Sequence, residues 1–462
     1  MFSRDVRNQF LATVTVNILQ IGFGAVLGWP SASLLVLEAE DSPLPSGPLT
    51  VAEKSWVSAL MYLGGSLGCI FFGWASNRYG RKYPLMGAAL PQLVGWLLII
   101  YAQNPYYLYI SRFMSGFSGS ANYVILPVFV AEIADTKVRG TLGSLFILCV
   151  NIGILLAFVL GHVCSYVMMP IILSVVPVVF FVGMCFFPES PQYLMQSGQE
   201  TEAKKSYCFY RNIEPQQNHE MDLLHNELDK FKPVIVSKDD KSNYKSTWSA
   251  FNTPVARKAI FLGVALLALK QFTGNTTMLN YAGEIFKVSG SHLGPNMSAI
   301  IIGIIQLVGT FTPTLLVDRA GRKVLLVVSS GLTGIGLVCL GVYMCLQSKG
   351  YDLTGLGLIP LISFSVVLFA QSCGVVPLPF VVISEILPRE AKAIGSTICM
   401  VVLWGFAFIM VKAFPIIAAT VGMYGCWFLF AAVAFGGVVF VLAVLPETKG
   451  KSFDEIMEIM KG

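Results

Sequence analysis

Apolar runs of span length recur along this chain, separated by short polar intervals and, once, by a long one. A helix rises 1.5 Å per residue, so about 20 apolar residues cross a hydrocarbon core roughly 30 Å thick. The runs predict helices over 10–31, 55–76, 83–103, 107–131, 140–162 and 165–187, then over 258–282, 296–317, 324–347, 357–385, 393–414 and 420–445. Twelve spans, split six and six, imply an all-α membrane protein. The first run is too long for a cleaved signal, carries Asn17 and Gln20, and ends in Trp29-Pro30 without a small-residue cleavage site. It reads as the first span.

The division of the chain follows. Residues 1–187 form an N-terminal six-helix half, 188–256 a linker, 257–445 a C-terminal six-helix half and 446–462 a tail. In the linker, Glu200, Glu202, Lys204 and Lys205 interleave with Tyr207, Leu223 and Leu224, a pattern for one or two short amphipathic helices. Lys238–Ser249 is polar and serine-rich, as a tether would be.

Composition strengthens the membrane reading. The 462 residues are 55% hydrophobic and 12% charged, against about 25% charged in a soluble domain. Too little polar surface exists for an exterior covered by water. About 25 of the 31 basic residues fall on the side that carries both termini. The opposite side has Lys54, Lys287, Lys349 and Lys412 with Glu38, Glu40, Asp41 and Glu53. By the positive-inside rule both termini and the linker are cytoplasmic, and a plasma-membrane location is expected. The net charge of +5 forms no continuous basic patch, so nucleic acid is not an expected partner. The ten cysteines sit mostly in apolar runs, form no CxxC pair and have only four histidines beside them. They read as small hydrophobes, with no metal and no cofactor expected.

The two halves echo each other. Arg78-Tyr79-Gly80-Arg81-Lys82 after the second run matches Arg319-Ala320-Gly321-Arg322-Lys323 after the eighth. Glu132 with Arg139 after the fourth run matches Glu385 with Lys392 after the tenth. Pro188-Glu189-Ser190 after the sixth matches Pro446-Glu447-Thr448 after the twelfth. Such a loop needs glycine for a tight reversal and arginines able to fork onto carboxylates, which the glutamates supply.

On these motifs the chain resembles the sugar porters of the major facilitator superfamily over nearly its whole length. Gly28-Trp29-Pro30-Ser31 and Ser42-Pro43-Leu44-Pro45 are similar to insect facilitated trehalose transporters. The resemblance implies two pseudo-symmetric six-helix halves around a central cavity, working by alternating access. It also implies a cytoplasmic ion-pair network that holds the outward-facing state: Arg78, Arg81, Glu132, Arg139, Glu189, Arg319, Arg322, Glu385, Lys392 and Glu447.

A sugar needs amides and hydroxyls for its rim and an aromatic platform for its C–H faces, and polar residues inside spans are costly unless they face a wet cavity or another helix. Gln271 and Asn275, Thr276 and Asn280, and Gln306 and Thr310 are each one turn apart. Asn151, Phe380 and Trp404 are further candidates. The expected substrate contacts are Gln271, Asn275, Thr276, Asn280, Gln306, Phe380 and Trp404, with Gly274 as a hinge. Gln271, Thr276, Gln306 and Trp404 match the family's sugar contacts by position. Departures from its pattern are Lys270 for the first glutamine of the seventh helix, Phe380 for a tryptophan, Leu403 for an asparagine and Gln192 for an arginine. Asn296-Met297-Ser298 is a glycosylation sequon at the outer start of the eighth run.

In proton-linked sugar porters an acidic residue of the first helix pairs with an arginine of the fourth. Here Arg112 is present, but residues 10–37 contain no Asp or Glu. The expectation is facilitated diffusion of a sugar, trehalose or a hexose, by a monomer in the lipid bilayer. Proton-coupled sugar or polyol symport, and a non-transporting sugar sensor on the same fold, stand beside it. No Walker loop, HExxH or GxSxG suggests an enzyme.

Overall fold

The computed structural model describes residues 6–135, 138–213, 253–290, 293–312, 320–388, 392–449, 451 and 453–461. The first half contains α1 (Arg7–Leu37), α2 (Val51–Tyr79), α3 (Lys82–Ile100), α4 (Pro105–Val124), α5 (Leu126–Ile133), α6 (Arg139–Val163) and α7 (Met168–Cys185). Two short helices follow, α8 (Pro191–Gln196) and α9 (Glu200–Arg211). The second half contains α10 (Pro254–Phe272), α11 (Asn275–Asn280), α12 (Ala282–Ser289), α13 (Pro295–Gly309), α14 (Arg322–Ser348), α15 (Ile359–Cys373), α16 (Leu378–Ile386) and α17 (Lys392–Val444). A last helix, α18, covers Phe453–Lys461.

Among the described residues nine helices are long and apolar enough to cross a membrane, counting α4 with α5 and α15 with α16 as one each. One of them, α17, turns at Gly422 (φ 76°, ψ 161°) and supplies two spans. The broken helix α10–α12 and the 15-residue apolar α13 complete twelve. Leu67, Ile70, Phe71 and Trp74 of α2 stay exposed, the placement expected of a lipid-facing stripe.

Three spans are interrupted, the seventh at the glycine expected to be its hinge and two others where no break was expected. The fourth breaks at Ile125, ahead of Pro127, and the tenth between Cys373 and Leu378, where Pro377 lacks an amide donor. The seventh breaks at Gly274, whose φ of +84° is left-handed. The ring of Phe430 occupies the space a side chain there would need.

Helix ends are set locally. Thr50 and Glu53 cap α2 reciprocally, each bonding the other's backbone amide at 3.3 and 2.9 Å. Gly80 and Gly321 both take positive φ, 92° and 89°, so the two matched basic loops reverse in the same way.

Helix α9 is amphipathic and buries Ala203, Ser206, Cys208 and Tyr210. The Tyr210 hydroxyl donates to the Pro188 carbonyl at 2.7 Å, which ties the helix to the end of the sixth span. The rest of the linker, including Lys238–Ser249, lies outside the described residues. Helix α18 buries Ile456 and Met460 against α10 and α16. Between the halves, α1 meets α11 and α12, α2 meets α17, and α6 meets α13.

Candidate functional site

A cavity of about 790 Å³ lies between the halves. It reaches from Asn280 at mid-depth to Gly140 and Ser144, which are exposed at the end that carries the basic loops. That end is called the basic end below, and the opposite one the far end.

All seven expected contact residues, with Lys270 and Asn151, line this one cavity. Gln271 spans two elements: its Nε2 donates to the Leu403 carbonyl at 3.2 Å, and its Oε1 accepts from Thr276 Oγ1 at 2.6 Å. The second bond reaches across the break at Gly274. Asn275 donates to Gln371 Oε1 at 2.9 Å, and Gln371 donates to the Thr273 carbonyl at 3.2 Å. Asn151 meets the Thr310 hydroxyl at 2.6 Å from the other half. Asn280 donates to the Tyr62 hydroxyl at 2.6 Å. Asn280 Oδ1 and Gln306 Oε1 are buried acceptors with no partner among the described residues. Trp404 forms an aromatic wall with Phe23, Tyr62 and Tyr123, its ring centroid 6.0, 6.0 and 5.6 Å from theirs.

Gln371, Tyr62, Tyr123 and Phe23 are additions to the residues expected from sequence. Gln371 carries the same signal as Gln306, an amide within an apolar run. The aromatic residues carry none, because rings are common on every span.

The far end is closed by contacts that cross the halves. Lys54, at the start of α2 and only 3% exposed, places Nζ 3.1 Å from Glu38 at the end of α1 and 3.1 Å from Glu284 of α12. The Ser55 hydroxyl donates to the Lys412 carbonyl at 2.9 Å, and the Gly283 amide donates to Ser31 Oγ at 3.0 Å. Asn296, at the start of α13, is half-buried and lies 3.5 Å from the Gly161 carbonyl of the first half.

At the basic end each half keeps its own cluster. Arg81 meets Glu132 at 2.8 Å, both nearly buried, and Ser190 Oγ donates to the other Glu132 oxygen. Glu189 accepts the amides of Arg81, Lys82 and Ser190. In the second half Arg322 meets Glu385 at 3.1 Å, and Glu447 accepts the amides of Arg322, Lys323, Thr448 and Lys449. The outcome for the two acids differs. Burial raises the Glu189 carboxyl above its ordinary value despite its amide donors. Burial also acts against Glu447, but four amides outweigh it and hold that carboxyl low. Arg78 and Arg139 are exposed; Arg78 accepts the Tyr193 hydroxyl on its carbonyl, and Arg139 donates to the Ala134 carbonyl at 3.3 Å. Arg319 and the Lys392 side chain lie outside the described residues.

Arg112 is buried in the first half over the Trp29 ring. It donates to the carbonyls of Val57 at 3.1 Å and Val26 at 2.8 Å.

The sequence pattern of the "Sugar (and other) transporter" family matches residues 14–460. The facilitated trehalose transporter Tret1 of Bombyx mori is 32% identical over 98% of this chain and 87% of its own length. That of Culex quinquefasciatus is 30% identical over 98% and 86%. Among solved structures, the major facilitator superfamily proton:xylose symporter XylE bound to 6-bromo-6-deoxy-D-glucose superposes with a TM-score of 0.77, at 21% identity over 99% of this chain and 100% of that one. Inward-open XylE from E. coli gives 0.78 at 21% identity, over 98% and 99%. The fold is that of the major facilitators, and the chain belongs to the sugar (and other) transporter family.

Proposed function

We propose that this protein carries a sugar, trehalose or a hexose, across the plasma membrane by facilitated diffusion, with both termini cytoplasmic. The observation that carries the reading is the central cavity, walled by Gln271, Asn280, Gln306 and Trp404, closed at its far end and, among the described residues, open toward the basic one. Unpaired amide oxygens suit sugar hydroxyls, and the aromatic wall suits sugar C–H faces. With the basic end cytoplasmic, the conformation is inward-facing. Alternating access then requires the Lys54 seal to open as the basic end closes. The matched clusters around Arg81 and Arg322 act at that closing end, and Gly274 is the hinge of the broken seventh span. The name of the insect relatives supports trehalose among the candidate sugars.

Passive transport is favoured by the surroundings of Arg112. Its guanidinium donates to two backbone carbonyls, and α1 offers no carboxylate from residue 10 to residue 37 that could exchange a proton with it.

The test is uptake of labelled trehalose and glucose into proteoliposomes, with and without a pH gradient. Saturable uptake to equilibrium, unaffected by the gradient, is the expected result. No saturable flux of any sugar would sink the reading, and accumulation driven by the gradient would replace uniport with symport. Gln271→Ala and Gln306→Ala are expected to raise KM for the carried sugar about tenfold each, as loss of a buried hydrogen bond to ligand does.

A further inference from the structure

Among the described residues four cations are buried: Lys54, Arg81, Arg112 and Lys270. Three have oxygen partners. Lys54 lies between two glutamates, Arg81 is held by Glu132, and Arg112 donates to two carbonyls. Lys270 has neither a carboxylate nor a carbonyl on its ammonium among the described residues. It sits 8% exposed in the last turn of α10, about 24 Å along that helix from its start at 1.5 Å per residue. Its Nζ lies over the ring of Phe380, 4.5 Å from the centroid. Both residues line the cavity, and no aspartate or glutamate lines it with them.

Burying an ammonium without a counter-ion is expensive, and a ring face offsets only about 1–2 kcal/mol of that cost. A cavity with one fixed positive charge and no negative one attracts an anion. Asn280 and Gln306 line the same space, and their amide oxygens, buried beside it, have no donor among the described residues, so the visiting molecule should also bring hydroxyls. A phosphate dianion would need a second cation, and the cavity offers none among its described lining residues. A single carboxylate balances one lysine.

Resting on the transport reading above, we infer that the preferred substrate is a sugar acid: a polyhydroxylated ring whose lone carboxylate is held by Lys270 and whose hydroxyls reach the Asn280 and Gln306 oxygens. Lys270 is then a specificity-determining residue, which favours the acid over the neutral sugar with the same ring. Phe380 keeps the ammonium aimed into the cavity between visits. The Lys270→Gln change would remove the charge while leaving an amide of similar reach.

The test uses full-length protein in proteoliposomes and two substrates that differ only at C6, D-glucuronate and D-glucose. Wild type is expected to show a KM for glucuronate about tenfold below that for glucose, the discrimination a charge-assisted pair provides. In Lys270→Gln that ratio should collapse to about one, whatever the absolute flux, and Lys270→Arg should keep the preference. Equal or reversed preference in wild type overturns the inference, and so does an unchanged ratio in Lys270→Gln. If the glutamine variant fails to fold, the wild-type ratio and the arginine variant still decide. A thermal-shift titration of wild type with the same two sugars provides a second readout: it should show glucuronate stabilising at lower concentration, and the reverse order overturns the idea. Trehalose or glucose flux without a preference for glucuronate defeats this inference alone, whereas no flux of any of the three defeats the transporter reading itself.

Discussion

The two ends of the molecule use charge in different ways. At the far end Lys54 of the first half grips Glu284 of the second, so the ion pair is part of the closure. At the basic end the described pairs, Arg81 with Glu132 and Arg322 with Glu385, stay inside their own halves. One charge cluster joins two bodies, and the others stiffen each body separately. A matched motif is therefore no guarantee of an interface: in this conformation Arg81 and Arg322 each bind a glutamate of their own half.

That contrast can be broken experimentally. The largest effect is expected from Arg81→Gln, which strands the buried Glu132. It should cost about 3 kcal/mol of stability, seen as a lower melting temperature, without moving the far end. Arg322→Gln should cost about 1 kcal/mol, because its pair is more exposed, at 16% and 22%. Equal losses would erase the distinction between the two halves.

Lys54→Ala should act on conformation instead. Breaking a buried charged contact costs about 2–5 kcal/mol, and the exposure of Glu38 and Glu284, 40% and 28%, reduces that to roughly 1–2, a factor of about 5–30 between states. Spin labels at positions 106 and 351, in a cysteine-stripped background, should move apart. Adding Glu38→Gln and Glu284→Gln should partly restore the short distance by removing the repulsion left behind. A distance that ignores Lys54 would mean that Tyr62, Asn280 and the neighbouring contacts close the far end alone.

Two smaller effects sharpen the comparison of the halves. Ser190→Ala removes the donor to Glu132 and should cost about 1 kcal/mol. Thr448→Ala, at the matching position, should be near neutral, since its hydroxyl and Glu385 Oε2 have no partner among the described residues. The smallest is a difference in pH slope. Glu447 is held below its ordinary value of 4.5, so its contribution is present above that value and fades as pH falls through the depressed pKa. Glu189 is raised, so its contribution is present below 4.5 and is lost as pH rises through the raised pKa. Relative to wild type, the melting temperature of Glu447→Gln should fall with rising pH and that of Glu189→Gln should rise. Parallel slopes would remove the distinction.

Much of the fold was legible because hydropathy is read over windows of span length. The twelve spans, the two halves and the glycine-reversed basic loops follow from that signal and from motif spacing. The bend at Gly274 was legible from the glycine itself, whereas the breaks at Ile125 and between Cys373 and Leu378 were not, since an apolar window stays apolar when its backbone kinks. The cavity residues of the seventh span announced themselves as amides at helical spacing. Tyr62 did not: its partner Asn280 is 218 positions away, and only the packing of the halves brings them together. Lys54 was visible as one of few basic residues on the far side, but its two carboxylate partners belong to different halves and no local spacing links them.

The left-handed turn at Gly274 has a consequence for the gene. Any missense change at that codon adds a side-chain carbon where the Phe430 ring already lies, in a backbone conformation that such residues rarely adopt. In a saturation library selected for uptake, position 274 should tolerate no substitution, whereas Gly73 and Gly331, with open space where a side chain would begin, should accept many.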